Sequence, residues 1–228
     1  ELFINGQSIG CQKIANCHTV FNVILPEGIS VLMAQGIKNG KTVQDAMTIQ
    51  FKSLPNIAEG DELAINVGSN CYFTSDISNL TWLPDQPYTA GGWGYIGGKA
   101  HSTTSEIYNT LDGPIYQTWR EGNWSYKIDA PIGEYEIELL IADVTKPAAQ
   151  LANLLNKNKE EKHSGETRFH ISICGKQVET NFSPIDGGKH RTAFKRRYII
   201  RNEHDHIVIS AGAVKGEPFL AGIKVRKL

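Results

Sequence analysis

The sequence predicts an all-β, sandwich-like protein in two parts, residues 1–54 and 58–228, with one short inserted helix. Three observations carry this. First, apolar residues fall on every second position in Tyr135-Glu136-Ile137-Glu138-Leu139, and Phe169, Ile171 and Ile173 alternate with His170 and Ser172. Ile207 with Ile209 and Ile223 with Val225 repeat the pattern; a period of two puts one face on a core and the other in water. Second, the breaks between runs are glycine-rich, among them Asn5-Gly6, Glu27-Gly28, Asn39-Gly40, Gly133, Gly175 and Gly216. Asn-Gly is a strong hairpin signal because both residues tolerate positive φ. Third, only Pro147 to Lys162, with Ala148, Leu151, Ala152, Leu154 and Leu155, reads as a helix. Its leading proline suits a first turn, where an N–H is not needed.

In order along the chain, short strands are expected at 1–5, 19–25, 29–36 and 43–51. A boundary follows at Leu54-Pro55-Asn56-Ile57, since the residue before a proline favours extended geometry. A longer series then begins at Leu63-Ala64-Ile65-Asn66-Val67-Gly68. Four strands are few for a sandwich and the first opens abruptly at residue 1, so at least one further strand is expected upstream in a longer protein. A lone helix between β runs is an insertion rather than an α/β repeat, which leaves an antiparallel sandwich as the fold.

Lys+Arg is 23 and Asp+Glu is 24, a net charge of −1. Without a basic surface to displace counterions, neither nucleic acid nor an anionic membrane is an expected partner. No apolar run approaches the ~20 residues that cross a bilayer. The four cysteines, at 11, 17, 71 and 174, include no Cys-x-x-Cys pair, which argues against a redox motif or a zinc ribbon. Cys11 and Cys17 flank a hairpin-like loop, either paired or as two unlinked small residues.

Catalytic signatures are missing: there is no Gly-x-Ser-x-Gly and no His-Glu-x-x-His, so no catalytic site is expected in this chain. His204 and His206 have His-x-His spacing without a third ligand, and Asn202-Glu203-His204-Asp205 reads rather as a polar turn. Asp76, Asp85 and Asp186 lie in loop-like sequence but lack the regular spacing of a calcium loop. No cofactor or metal is therefore expected, with a structural calcium ion as the alternative. The run Gly91-Gly92-Trp93-Gly94-Tyr95-Ile96-Gly97-Gly98 has no Lys-Ser/Thr after it and is no phosphate cradle.

Aromatic crowding is the informative feature. Trp82, Tyr88, Trp93, Tyr95, Tyr108, Tyr116, Trp119, Trp124 and Tyr126 fall within 45 residues, in sequence that reads as loops. Such rings either stack on the C–H faces of sugars or fill the core under long loops. For a sugar site, Trp119-Arg120-Glu121 sets a stacking face beside a donor and an acceptor. Trp93 and Tyr95 come next, with Glu217 in a facing loop.

Two resemblances become specific at these residues. Ile65–Gly68, Trp82–Tyr88, Gly92-Trp93-Gly94-Tyr95, Ile115-Tyr116-Gln117-Thr118, Gly133–Ile137, Phe169–Gly175 and Gly216–Ile223 resemble, in the same order, a malectin-like domain (carbohydrate-binding module family 57). That resemblance implies a galactose-binding-like jelly roll over 58–228. Where malectin carries two aromatics after the strand equivalent to Tyr135–Asp143, this chain has Val144, Thr145 and Lys146. A malectin ligand tyrosine following Tyr-Gln-Thr has no identical match, Trp119 or Glu121 occupying that neighbourhood, and the resemblance implies Glu217 as a last-loop acid. Glu1–Gly10, Phe21 and Val31-Leu32-Met33-Ala34 resemble the Ig-like domain late in bacterial glycoside hydrolase family 2 enzymes of β-galactosidase type. Together the resemblances imply a non-catalytic C-terminal region of a periplasmic or secreted bacterial enzyme. Its partners would be an oligosaccharide or glycan and the upstream catalytic barrel. The alternative is a purely structural module that braces that barrel or an oligomer interface.

Overall fold

The computed structural model describes residues 1–51, 53–144, 167–184 and 190–228. Two compact units, Glu1–Leu54 and Pro55–Leu228, are described separately. In the first, β1 (Leu2–Ile4), β2 (Gln7–Gly10), β3 (Gly28–Lys38) and β4 (Lys41–Phe51) form one antiparallel sheet in the order β2-β1-β3-β4. Both Asn-Gly pairs close hairpins in the left-handed region, with φ of 50° and 82° at Asn5-Gly6 and 52° and 73° at Asn39-Gly40. The expected strand at 19–25 does not form. β1 pairs directly with β3, so the segment from Cys11 to Glu27 has no neighbour in the sheet. It runs irregularly, with a tight turn at Asn16-Cys17 closed by the Ala15–His18 hydrogen bonds. Cys11 and Cys17 are free and exposed.

The second unit opens with a short 3-10 turn, Ile57–Glu59, capped by the Asn56 side chain, which accepts from the Ala58 N–H. β5 (Leu63–Asn66), β6 (Phe73–Thr74), β7 (Thr81–Pro84), β8 (Trp93–Ser102), α1 (Gly113–Tyr116) and β9 (Thr118–Asp129) follow. Then come β10 (Gly133–Ala142), β11 (Arg168–Ile173), β12 (Lys176–Phe182), β13 (Ala193–Asn202), β14 (His206–Lys215), β15 (Phe219–Leu220) and β16 (Gly222–Lys227). One sheet runs β13-β10-β16-β5-β7-β6; the other runs β12-β11-β14-β9-β15, with β8 on the open side of β9. The sequence alternation decides which faces meet. Tyr126, Ile128, Phe169, Ile171, Ile207 and Ile209 from the second sheet pack on Ile65, Tyr135, Ile137, Leu139, Ile141 and Ile223 from the first. Leu139-Leu140-Ile141-Ala142 breaks the period of two because β10 is covered on both faces, as continuous apolar strands are. Leu140, Ala142, Trp82, Ile115, Tyr116 and Ala221 make a second cluster on the outer side of that sheet. The helix expected over 147–160 lies outside the described residues.

Gly68 fixes one close approach. It sits at φ +78°, and a Cβ there would lie 2.4 Å from the Trp119 carbonyl oxygen. Gly175 has a similar φ of +75° but open space around it. Gly175→Ala should therefore cost only the left-handed backbone strain, about 1 kcal/mol, whereas Gly68→Ala must also push β9 away and should cost at least about 3 kcal/mol. Urea denaturation of the two variants checks the ordering.

Candidate functional site

The aromatic run expected in loops is mostly strand. Trp82 lies on β7, Trp93 and Tyr95 on β8, and Trp119, Trp124 and Tyr126 on β9. β8 and β9 form a long antiparallel ribbon, in which Trp93 sits opposite Ile128 and His101 opposite Trp119. Eight residues at about 3.3 Å each therefore put Trp93 and Trp119 about 25 Å apart, at opposite ends. Trp93 is 9% exposed and belongs to the core.

Trp119 is half-buried. Its ring lies 5.7 Å from the His101 ring at an interplanar angle of 20°, packs against both apolar clusters, and donates its indole N–H to Glu121 Oε2 at 3.1 Å. His101 Nε2 is 3.9 Å from the same carboxylate. Glu217 joins this end of the ribbon because β15 pairs with β9. The Gly122 N–H donates to the Pro218 carbonyl at 2.9 Å, and the exposed Glu217 carboxylate lies 3.6 Å from the Cβ position of Gly122.

Arg120 faces inward. It is 4% exposed; its Nε and Nη2 donate to Asp85 Oδ2 at 3.1 and 2.8 Å, and Nη1 donates to the carbonyls of Gly97 and Gly98. Its guanidinium covers the Tyr95 ring at 3.3 Å. Asp85 also accepts from the Gly68 N–H and the Tyr126 hydroxyl. Burial opposes the guanidinium charge, but the hydrogen bonds and charge of Asp85 outweigh it and hold Arg120 firmly protonated. Burial and the Asp85 charge push the Tyr126 phenol up, so it stays a donor. Arg120 and Tyr95, expected beside a sugar, are thus engaged within the fold, and Asp85, considered for calcium, is engaged with Arg120.

Trp119, Glu121 and His101 are in contact with one another, Glu217 lies against Gly122, and Trp93 lies apart. His101 stands in no motif of the sequence, and the Asp85–Arg120 contact spans 35 positions with no local signal. Among the described residues no group of three or more His, Cys, Asp or Glu side chains is arranged to hold a metal. Asp76 is exposed, and Asp186 lies outside the described residues. The glycine run is tied down by Asp129, which accepts from the Gly91 and Gly92 N–H groups and the Tyr88 hydroxyl.

A second concavity, of about 860 Å³, opens over Trp82 between Ile77–Leu80 and Asn109–Asp112. Glu138 on its floor is 3% exposed. Its carboxylate meets Lys195 at 3.2 Å, Lys224 at 3.8 Å and Arg197 at 3.3 Å. Burial pushes the Glu138 carboxyl up, yet the two lysines and the arginine outweigh this and hold it below the usual carboxylate range.

Residues 62–223 match the family model described as the malectin domain. Among solved structures, a Bacteroides uniformis β-glucuronidase 2, covalently bound to cyclophellitol-6-carboxylate aziridine, is 43% identical with a TM-score of 0.79. That match covers 100% of this chain and 25% of the solved one, so the chain spans about a quarter of that enzyme's length. The plant receptor-like kinase ANX2 aligns at 15% identity over 87% of this chain and 61% of its own, with a TM-score of 0.55, a likeness of fold alone. Among curated proteins, the kinesin-like protein KIN-14E of Oryza sativa subsp. japonica is 28% identical over 136 residues, 58% of this chain and 12% of its own.

Arg120→Met leaves Asp85 buried without its cation. Breaking such a pair costs about 3–5 kcal/mol, so this variant should lose far more stability in urea than Glu121→Gln at the half-buried neighbouring position. Acid titration checks Glu138. A carboxyl held low in the folded state adds stability that is fully present above its unfolded pKa of about 4.3 and is lost as pH falls through the lower folded value. The acid limb of unfolding free energy against pH should be shallower in Glu138→Gln than in the parent chain.

Proposed function

This chain belongs to the malectin domain family, and from that premise we propose that it is a non-catalytic, carbohydrate-binding accessory region of a longer bacterial glycoside hydrolase. The observation that carries the reading is the end of the β8–β9 ribbon. There an aromatic stack, His101 on Trp119, is edged by the Glu121 carboxylate, with Glu217 on the adjoining turn against Gly122. A planar apolar face edged by strong acceptors is what a pyranose ring asks for, since its C–H face stacks and its hydroxyls donate. Because the inner face of Trp119 is taken by the core, the surface offered to the ligand is the His101 ring, with its side chain 44% exposed. Arg120 serves as the buried support that holds the two flanking residues.

The names of the solved relatives favour a β-glucuronidase as the parent over the β-galactosidase type first expected, with the parent's catalytic barrel as the intramolecular partner. A periplasmic or secreted location goes with that reading, and an export signal in the complete gene would support it. The second reading is a structural brace without a glycan. It is favoured by the extent to which Trp93, Tyr95, Trp119 and Arg120 are spent inside the fold.

Calorimetry of the 228-residue chain against neutral and acidic oligosaccharides separates the two. The binding reading expects dissociation constants of about 0.1–10 mM, or about −3 to −5 kcal/mol, because each ring has little apolar area and its hydroxyls must give up water. His101→Ala and Glu121→Gln should each weaken binding by about tenfold, 1.4 kcal/mol, with unchanged melting temperature. Trp119→Ala should also lower stability by about 2–3 kcal/mol through lost packing. An unmodified chain that takes up no glycan at millimolar concentration leaves the brace as the reading.

A further inference from the structure

The concavity of about 860 Å³ over Trp82 lies on the outer face of the first sheet and shares no lining residue with the end of the β8–β9 ribbon. Its volume falls within the ~300–1,000 Å³ of clefts that take small ligands. Strand alternation builds its floor. Glu138 on β10 stands opposite Lys224 on β16, and Lys195 comes from β13 on the same side of the sheet. These charges are already matched, since Lys195 meets Glu138 at 3.2 Å and Lys224 meets Glu62 at 3.1 Å. An acidic ligand would have to displace one of those carboxylates, and a cationic one would meet two ammonium groups. Asp112 on the wall, held by the Ser75 hydroxyl at 3.1 Å, weighs further against an anion. Trp82 itself is 4% exposed, and its indole N–H is buried with no hydrogen-bond partner. A buried donor without an acceptor is costly and calls for one. Above the polar groups, the two facing loops carry Ile77 and Leu111, apolar residues that are 64% and 87% exposed.

We propose that this concavity is a second ligand site of the malectin unit, and that its ligand is a neutral, hydroxyl-rich ring: a hexose unit that carries no acidic group. A hydroxyl both donates and accepts. It therefore suits a floor that mixes ammonium donors, an unmatched indole N–H and carboxylates, whereas an ion of either sign would disturb pairs already made. The C–H groups of the same ring have Ile77 and Leu111 to lie against. The inference stands apart from sugar binding at His101, because the two places have no residue in common.

Proton–nitrogen NMR of the 228-residue chain reads the two places separately, because Trp82 and Trp119 each carry an indole N–H whose signal Trp82→Phe and Trp119→Phe assign. The probes are methyl β-glucoside, methyl β-galactoside and methyl β-glucuronide, the last differing from the first only in its C6 carboxylate. At least one neutral glycoside should move the Trp82 signal saturably, with a dissociation constant of about 1–100 mM. The glucuronide should act on that signal about tenfold more weakly, its carboxylate meeting Asp112 and the paired acids. Ile77→Ser and Leu111→Ser, both at exposed positions, should each weaken the Trp82 response about threefold through lost apolar contact and leave the Trp119 response unchanged. His101→Ala should leave the Trp82 response intact. A Trp82 signal that neither neutral glycoside moves at about 100 mM overturns the proposal. A glucuronide that binds as tightly as the glucoside overturns it in favour of an anion site. A Trp82 response that survives both serine variants and vanishes in His101→Ala overturns it as an effect relayed from the ribbon end.

Discussion

The buried pair of Asp85 and Arg120 is the constraint around which the second unit is arranged. Asp85 follows β7 in one sheet and Arg120 lies on β9 in the other, so the pair pins the two layers together inside the sandwich. Every atom that can help is recruited: two guanidinium nitrogens, the Tyr126 hydroxyl and the Gly68 N–H converge on one carboxylate. Such an arrangement adds little net energy over a well-packed apolar one, because two charges have left water, but it tolerates only one geometry. The pair therefore acts as a register pin. It sets β9 along its length, and with it the side on which Trp119 and Glu121 emerge.

The ribbon of β8 and β9 turns that internal register into a surface. Its inward side chains fill the sandwich, and its outward ones, at the end nearest β15, are the His101 ring and the Glu121 carboxylate. Gly68 lets the chain after β5 come against the backbone of Trp119. The exposed cluster thus stands on strands rather than on loops, and strands hold side-chain positions more tightly. A ligand site built this way needs little ordering when it binds, which suits weak sugar recognition, where small gains are easily lost to entropy.

What the sequence made legible follows the range of the forces involved. Alternation in Phe169–Ile173, Ile207–Ile209 and Ile223–Val225 is local and survived into the core, as did both Asn-Gly hairpins. Thr19–Leu25 had suitable composition and no strand, because pairing is a property of two segments and β1 had already taken β3. The aromatic run misled in another way. Its glycines and prolines read as loop, yet Gly94, Gly97 and Gly98 lie within β8 where other backbone or the Arg120 side chain comes too close for a Cβ. Arg120 read as a donor for a ligand since nothing near it in sequence announced Asp85. Trp119 and Glu121 are joined by a hydrogen bond, but the residue stacked on them, His101, has no motif of its own.

β4 is eleven residues long, bonds to β3 along one edge only, and carries just Lys41 and Asp45 as charges. Its free row of N–H and C=O groups, next to exposed Val43, Met47 and Phe51, matches the sheet edges that natural proteins normally blunt with charge, proline or a cover. Opposite charges on the strand cancel, so no electrostatic repulsion keeps two such edges apart. In concentrated solution that edge is where two copies of this polypeptide would first pair, adding strand to strand.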